Sequence, residues 1–215
     1  MADTFDSLKS RMVVGQLVSR GIADKKVLKA MENVDRHLFV SKNLEDNAYD
    51  DCPLPIKAGQ TISQPYIVAY MLEAAHINED SKVLEIGTGS GYGAAILAEI
   101  CKEVCTIEIN QELADTSFPL LNSLYKNLYT KLGDGADGWV KHSPFDAIIL
   151  TAAPQQMPKE LIWQLKEGGR IIMPLEDEYG EQVLIRGTKN SQEKCSYEEL
   201  MNVRFVPMVG KISEV

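Results

Sequence analysis

Four short apolar runs constrain this chain more than any other feature: Val83-Leu84-Glu85-Ile86, Val104-Cys105-Thr106-Ile107, Ala147-Ile148-Ile149-Leu150 and Ile171-Ile172-Met173. Each is short for a helix, and none shows the polar alternation of a half-exposed strand, so they read as strands buried on both faces. Helix-like segments lie between them at about 92–100, 111–126 and 158–166, with Gly168-Gly169 read as the stop of the last. Buried strands alternating with helices predict a doubly wound, mostly parallel α/β sheet. Val183-Leu184-Ile185 and Val203-Arg204-Phe205-Val206 read as later strands. Pro119 should kink or shorten the 111–126 helix, because proline lacks the helix N–H and clashes with the preceding turn.

The region before residue 80 has a different texture. Leu8, Met12 and Leu17, then Val27, Met31 and Val34 after Gly21, recur at near-helical spacing and predict two helices over 5–34. Asp24 is the expected N-cap of the second. Residues 41–63 read as loop, with Pro53, Pro55 and Gly59. A third helix is expected to start at Pro65, a favoured first helical position, with Ile67, Val68, Met71, Leu72 and Ala75 on one face.

A chain of 215 residues suits one domain, here divided into N-terminal helices and a substrate loop (1–80), a cofactor-binding core (81–175) and C-terminal strands (176–215). No apolar run approaches the roughly 20 residues that span a bilayer. The start, Met1-Ala2-Asp3-Thr4-Phe5-Asp6, is acidic and unlike an export signal, so the expectation is a cytoplasmic protein without a membrane partner. A net charge of −9 and no Lys/Arg cluster argue against binding nucleic acid. Cys52, Cys101, Cys105 and Cys195 read as reduced packing cysteines, since no second Cys/His pair follows Cys101 and Cys105 at metal-ligand spacing. No metal site is expected. Nor does any apolar stripe demand a dimer, and a monomer is the expectation.

The first strand ends in Gly87-Thr88-Gly89-Ser90-Gly91 and a helix follows, which is the arrangement of a nucleotide-binding turn. Glycines let a ligand approach the backbone, and the helix start offers free N–H groups to an anion such as a carboxylate. Dinucleotide enzymes favour G-x-G-x-x-G, whose third glycine would fall at Tyr92. Glu85 and the three glycines instead form E-x-G-x-G-x-G, which resembles the first motif of class I S-adenosylmethionine-dependent methyltransferases. Glu108 ends the next strand, 19 residues after Gly89, where a carboxylate can accept from both ribose hydroxyls. Asp134 in Gly133-Asp134-Gly135 follows the third strand, where this fold often sets an acid against the adenine amino group.

The resemblance then narrows. Residues 49–65, Tyr-Asp-Asp-Cys-Pro-Leu-Pro-Ile-Lys-Ala-Gly-Gln-Thr-Ile-Ser-Gln-Pro, are similar to the signature of the protein-L-isoaspartate O-methyltransferase family. So are the segments Val83–Ala98, Phe145–Pro154, Gln164–Pro174 and Val203–Gly210, together with Gly21-Ile22 and Arg36-His37-Leu38-Phe39-Val40. This resemblance implies a seven-stranded Rossmann-like methyltransferase fold with an N-terminal helical extension. It implies S-adenosyl-L-methionine as cofactor, and methylation of the free α-carboxylate of isoaspartyl residues in damaged proteins and peptides. It places the cofactor against Ile62, Glu85, Gly87, Thr88, Gly89, Ser90, Glu108, Asp134 and Gly135. It makes Ser63 the catalytic residue that orients the incoming carboxylate, and places the substrate against Pro55, Thr61, Ser63 and Val206. An α-carboxyl group with a pKa of roughly 3.5 is already ionised, so no general base is required. The capping alternative for Ser63 is that it only starts the Pro65 helix. The Val203–Val209 segment and the loop around Pro53–Gly59 are expected to flank the isoaspartyl group; the alternative is that Phe205 and Val206 simply close the sheet. Another class I methyltransferase with a small-molecule substrate is the alternative reading. Amino-group nucleic-acid methyltransferases resemble one another in an Asp/Asn-Pro-Pro-Tyr/Phe segment after the fourth strand, and Thr151-Ala152-Ala153-Pro154 stands there instead.

Overall fold

The computed structural model describes residues 4–190 and 194–211, so part of the acidic N-terminal hexapeptide lies outside the described residues. The chain begins with helix α1 (Phe5–Met12), which runs on through a wider turn (Val13–Leu17) and a tighter one (Val18–Arg20). Gly21, at φ 97°, ends it. Helix α2 (Lys25–Asn33) is capped as expected, with the Asp24 side chain accepting from the N–H groups of Lys26 and Val27. The segment read as loop contains a small antiparallel ribbon, β1 (Leu54–Pro55) against β2 (Thr61–Ile62). Helix α3 (Pro65–Ala75) starts at its proline. Met71, Leu72 and Ala75 are buried, but Ile67 and Val68 are only partly so, because they face the cavities described below.

The core alternates as the apolar runs require: β3 (Lys82–Ile86), α4 (Tyr92–Ile100), β4 (Glu103–Glu108), α5 (Gln111–Leu124), β5 (Leu128–Leu132), β6 (Phe145–Leu150), α6 (Lys159–Trp163) and β7 (Leu165–Glu176). Two more strands follow, β8 (Gln182–Lys189) and β9 (Cys195–Val203). The seven-stranded sheet has the order β5-β4-β3-β6-β7-β8-β9. Its first five members are parallel, and β8 and β9 join antiparallel. Side chains alternate between two apolar layers. Val83, Val104 and Ile149 meet α1 to α4 on one face, while Leu84, Cys105, Ile148 and Met173 meet Leu161 of α6 on the other.

Two expectations need correction. The helix read at 158–166 is only Lys159–Trp163, and β7 already begins at Leu165. The Gly168-Gly169 pair lies inside that strand, where a Cβ on Gly169 would press on the backbone carbonyls of Lys166, Phe145 and Asp146. The strand read at 203–206 lies earlier, at Cys195–Val203; as the sheet edge it is mostly exposed and polar, so no apolar run marks it. Pro119 lies inside α5, which ends at Leu124 instead of reaching residue 126.

Candidate active site

Strand order reverses between β3 and β6, and in open α/β sheets the carboxyl ends at such a switch point form the ligand crevice. Gly87 leaves β3 there at φ 95°, a backbone shape costly for any side chain. A Cβ at that position would also overlap Oγ1 of Thr151, which follows β6 and donates to the carbonyls of Ile86 (3.1 Å) and Gly87 (2.6 Å). Gly89, at φ 54°, faces space that is nearly open, with only Ile56 within 4 Å of a Cβ placed there.

Two cavities meet at this turn, and a third joins them at Thr61 and Thr151. The first, about 310 Å³, runs along Gly87, Gly89, Glu108 and Gly135 beneath the segment Val206–Val209. The second is small, about 60 Å³, and reaches from Ser63 and Ile62 down to Glu85, Thr88 and Ser90. The third, about 660 Å³, opens outward past Ser63, Pro53 and Arg20 to the stretch Met201–Val206. Thr61 and Thr151 line all three.

Glu108 is almost fully buried (4% exposed). Its Oε2 accepts from the N–H of Gly89 at 2.8 Å and its Oε1 from the N–H of Asn110 at 2.9 Å. A carboxylate oxygen has two lone pairs, so each retains one for a further donor. The acid thus fits a vicinal diol in the first cavity, and Ile107, Ile109, Leu113 and Met208 supply apolar wall for a planar base. Glu85 lies at the floor of the second cavity and accepts at Oε2 from the Thr106 hydroxyl (2.6 Å), which also bonds Thr88 Oγ1 (2.6 Å). Burial pushes its carboxyl up to about 8, and the nearby Glu108 adds to the rise while the Thr106 hydrogen bond opposes it. A cationic ammonium beside Glu85 would restore its ionised form. These donors, acceptors and glycines fit an adenosine bearing an amino acid.

Ser63 lines the second and third cavities, and its hydroxyl makes no hydrogen bond among the described residues. The helix cap is Gln64, without a side-chain cap bond, so Ser63 does not serve the capping role. Asp134 does not line the first cavity, although Gly135 does. Its Oδ1 accepts from Ala136 N–H and its Oδ2 from the N–H of Lys211, whose ammonium pairs with Asp137 at 2.7 Å. Pro55 faces a separate apolar cleft between Leu38–Leu44 and α5. Val206 lines the first and third cavities, and its carbonyl accepts from Ala153 N–H at 2.9 Å. Phe205 is pinned at both backbone groups by the buried amide of Gln182. Phe205 and Val206 therefore line the groove instead of extending the edge strand.

Sequence reading missed Thr151 and Gln182, and it set Val203–Val209 against the substrate without seeing that Met208 and Val209 roof the first cavity. It also treated Tyr92 only as an absent glycine. Tyr92 is buried, with the Arg36 guanidinium 4.7 Å above its ring, so it locks the N-terminal helices to the start of α4. All four cysteines are free. The fold does gather Glu103, Cys105 and His142 within 4.8 Å, but Glu103 is already bonded to His142 (3.0 Å) and paired with Lys82 (3.4 Å). No helix among the described residues is long and apolar enough to cross a membrane.

A solved protein-L-isoaspartate O-methyltransferase superimposes with a TM-score of 0.87 at 26% identity, covering 95% of this chain and 67% of that one. A Plasmodium falciparum structure in complex with S-adenosyl-L-homocysteine shares the fold, with a TM-score of 0.80, 24% identity and coverage of 97% and 99%. Fold and crevice together define a Rossmann-like, S-adenosylmethionine-dependent methyltransferase. The sequence profile described as Protein-L-isoaspartate(D-aspartate) O-methyltransferase matches residues 8–213. Proteins named protein-L-isoaspartate O-methyltransferase from Opitutus terrae and a Picosynechococcus species are 50% and 48% identical over 200 and 210 residues. Those alignments cover 93% and 97% of this chain and 85% and 93% of the relatives. The chain belongs to the protein-L-isoaspartate(D-aspartate) O-methyltransferase family.

Proposed function

We propose that the three joined cavities transfer a methyl group from S-adenosylmethionine to the free α-carboxylate of an L-isoaspartyl residue, a protein-repair reaction, with Ser63 orienting the carboxylate. The observation that carries this reading is the convergence at Thr61 and Thr151. A cleft fit for a nucleoside, a pocket with an uncommitted hydroxyl and an open groove share one corner. The cofactor, when bound, supplies a methyl group already activated on a sulfonium. Glu108 holds the ribose hydroxyls, the Gly87–Gly91 turn gives the methionyl part close backbone contact, and Glu85 faces its ammonium end. Gly135 and Met208 bound the base, and Asp134 acts on it indirectly by anchoring the roof at Lys211. The Ser63 hydroxyl donates to the incoming carboxylate and fixes its approach; such alignment can contribute several kcal/mol. Since the nucleophile arrives ionised, no side chain has to remove a proton.

The groove of about 660 Å³ is open enough for a polypeptide of variable sequence, which favours a peptide over a small metabolite. The reading also takes the protein as a cytoplasmic monomer without a nucleic-acid partner, and the net charge of −9 supports the last of these. The test is methyl transfer from labelled S-adenosylmethionine to an isoaspartyl peptide, with the aspartyl peptide as control. Ser63→Ala is expected to lose at least about tenfold in kcat, one hydrogen bond's worth or more, while binding S-adenosylhomocysteine normally. Equal kinetics for variant and wild type would remove Ser63 from the mechanism.

A further inference from the structure

Among the residues lining the open groove, the cations are Arg20 and Arg204. They are not equivalent. The Arg20 guanidinium is 2.8 Å from Asp51 and lies 3.6 Å over the ring of Tyr66, so its charge is already balanced. The Arg204 side chain is exposed and has no ion pair or hydrogen bond among the described residues. Its backbone is nonetheless held in place. It sits between the end of β9 at Val203 and Phe205, whose N–H and carbonyl are both bonded to the Gln182 side chain. An unbalanced guanidinium is thereby presented in the same groove as Ser63, on a chain whose overall charge is −9. On such a surface it is a local attractor for a carboxylate, and arginine offers that group a two-pronged fit.

We propose that Arg204 is a specificity-determining residue that selects isoaspartyl peptides carrying an acidic residue, or a free C-terminal carboxylate, next to the isoaspartyl group. This rests on the reading of the groove as the peptide site. The Ser63 pocket holds the reacting carboxylate, and Arg204 holds a second one on the groove wall. Such a cation does not contact the reacting atoms, so its effect belongs in KM. Being solvent-exposed, the pair is modest and weakens with salt.

Three isoaspartyl peptides that differ only in their flanking residues (glutamate, alanine or lysine) test this at low and high salt. In the wild type, kcat/KM is expected to fall about fivefold in total from the glutamate to the lysine peptide, through KM, and the spread should shrink in 0.5 M salt, the size set by exposed ion pairs. Arg204→Ala should flatten the series, Arg204→Lys should keep part of it, and Arg204→Glu should invert it. A wild-type series that is flat or favours lysine, or an Arg204→Ala series as steep as wild type, overturns the proposal. Anisotropy with the same labelled peptides and protein loaded with S-adenosylhomocysteine reads the charge preference without turnover. If binding follows charge through Arg204 but no peptide is methylated, the groove assignment stands and the isoaspartyl chemistry fails. If the alanine peptide is methylated and charge has no effect, only the role of Arg204 fails.

Discussion

Replacing Glu108 by glutamine changes one atom of a buried side chain, and the structure says why that atom matters. Both carboxylate oxygens accept backbone N–H groups, from Gly89 at 2.8 Å and Asn110 at 2.9 Å. Glutamine has one acceptor oxygen, so one of those N–H groups must face an NH2 group that cannot accept. A buried donor left unsatisfied costs about 1–3 kcal/mol. For a domain of this size, each kcal/mol lowers Tm by about 2–4 °C. The amide also loses one charge-assisted bond to a ribose hydroxyl, worth about 1.5–3 kcal/mol. That corresponds to roughly 10- to 150-fold weaker cofactor binding. Calorimetric titration with S-adenosylhomocysteine gives the affinity change, and a thermal melt of the ligand-free protein gives the stability change. Should the variant bind within about twofold of wild type and melt at the same temperature, the ribose assignment and the double-acceptor argument both fall.

Two further outcomes follow from Glu85. Its carboxyl titrates near 8 in the fold, above the ordinary glutamate value of 4.5, so the native state holds a proton that the unfolded chain releases between those values. The stability this proton confers is present below about pH 4.5 and lost as pH rises through about 8. The Tm difference, Glu85→Gln minus wild type, should therefore grow in the variant's favour from pH 5.5 to 8.5 in ligand-free protein, whereas parallel curves would refute the buried-acid assignment. Gly93→Ala would drive a methyl into Glu85 Oε1. Overpacking of this kind costs about 1–3 kcal/mol, so a clear drop in Tm is expected, and an unchanged melt would show that Glu85 can move aside.

What could be read from the sequence was what neighbours along the chain decide. Asp24, Gly21 and Pro65 set helix boundaries through bonds and dihedrals within a few residues, and each acts where it was expected. The continuous apolar runs gave β3, β4, β6 and part of β7 because strands buried on both faces admit little else. Strand β9 escaped notice because an edge strand can be polar, and its pairing with β8 comes from the sheet, not from its own pattern. The glycine turn was legible for the same local reason as the caps. Thr151 was not, because its role is to bond carbonyls 64 and 65 residues earlier in the chain. Gln182 was invisible likewise, since nothing near it in sequence announces Phe205. Asp134 bonds Ala136 locally through one oxygen, yet its other oxygen turns to the C-terminal segment, which only the closed fold could reveal.

That C-terminal segment has one further consequence. Val206 is a wall of the first cavity on one side and of the open groove on the other, and its carbonyl is tied to Ala153 at the end of the sheet. A ligand that settles Val206 on one side alters the work left for the ligand on the other. Linkage makes this reciprocal: by whatever factor the bound nucleoside changes peptide affinity, the peptide changes nucleoside affinity by the same factor. Coupling carried by this shared wall would therefore be measurable from either side, as a change in peptide affinity or in nucleoside affinity.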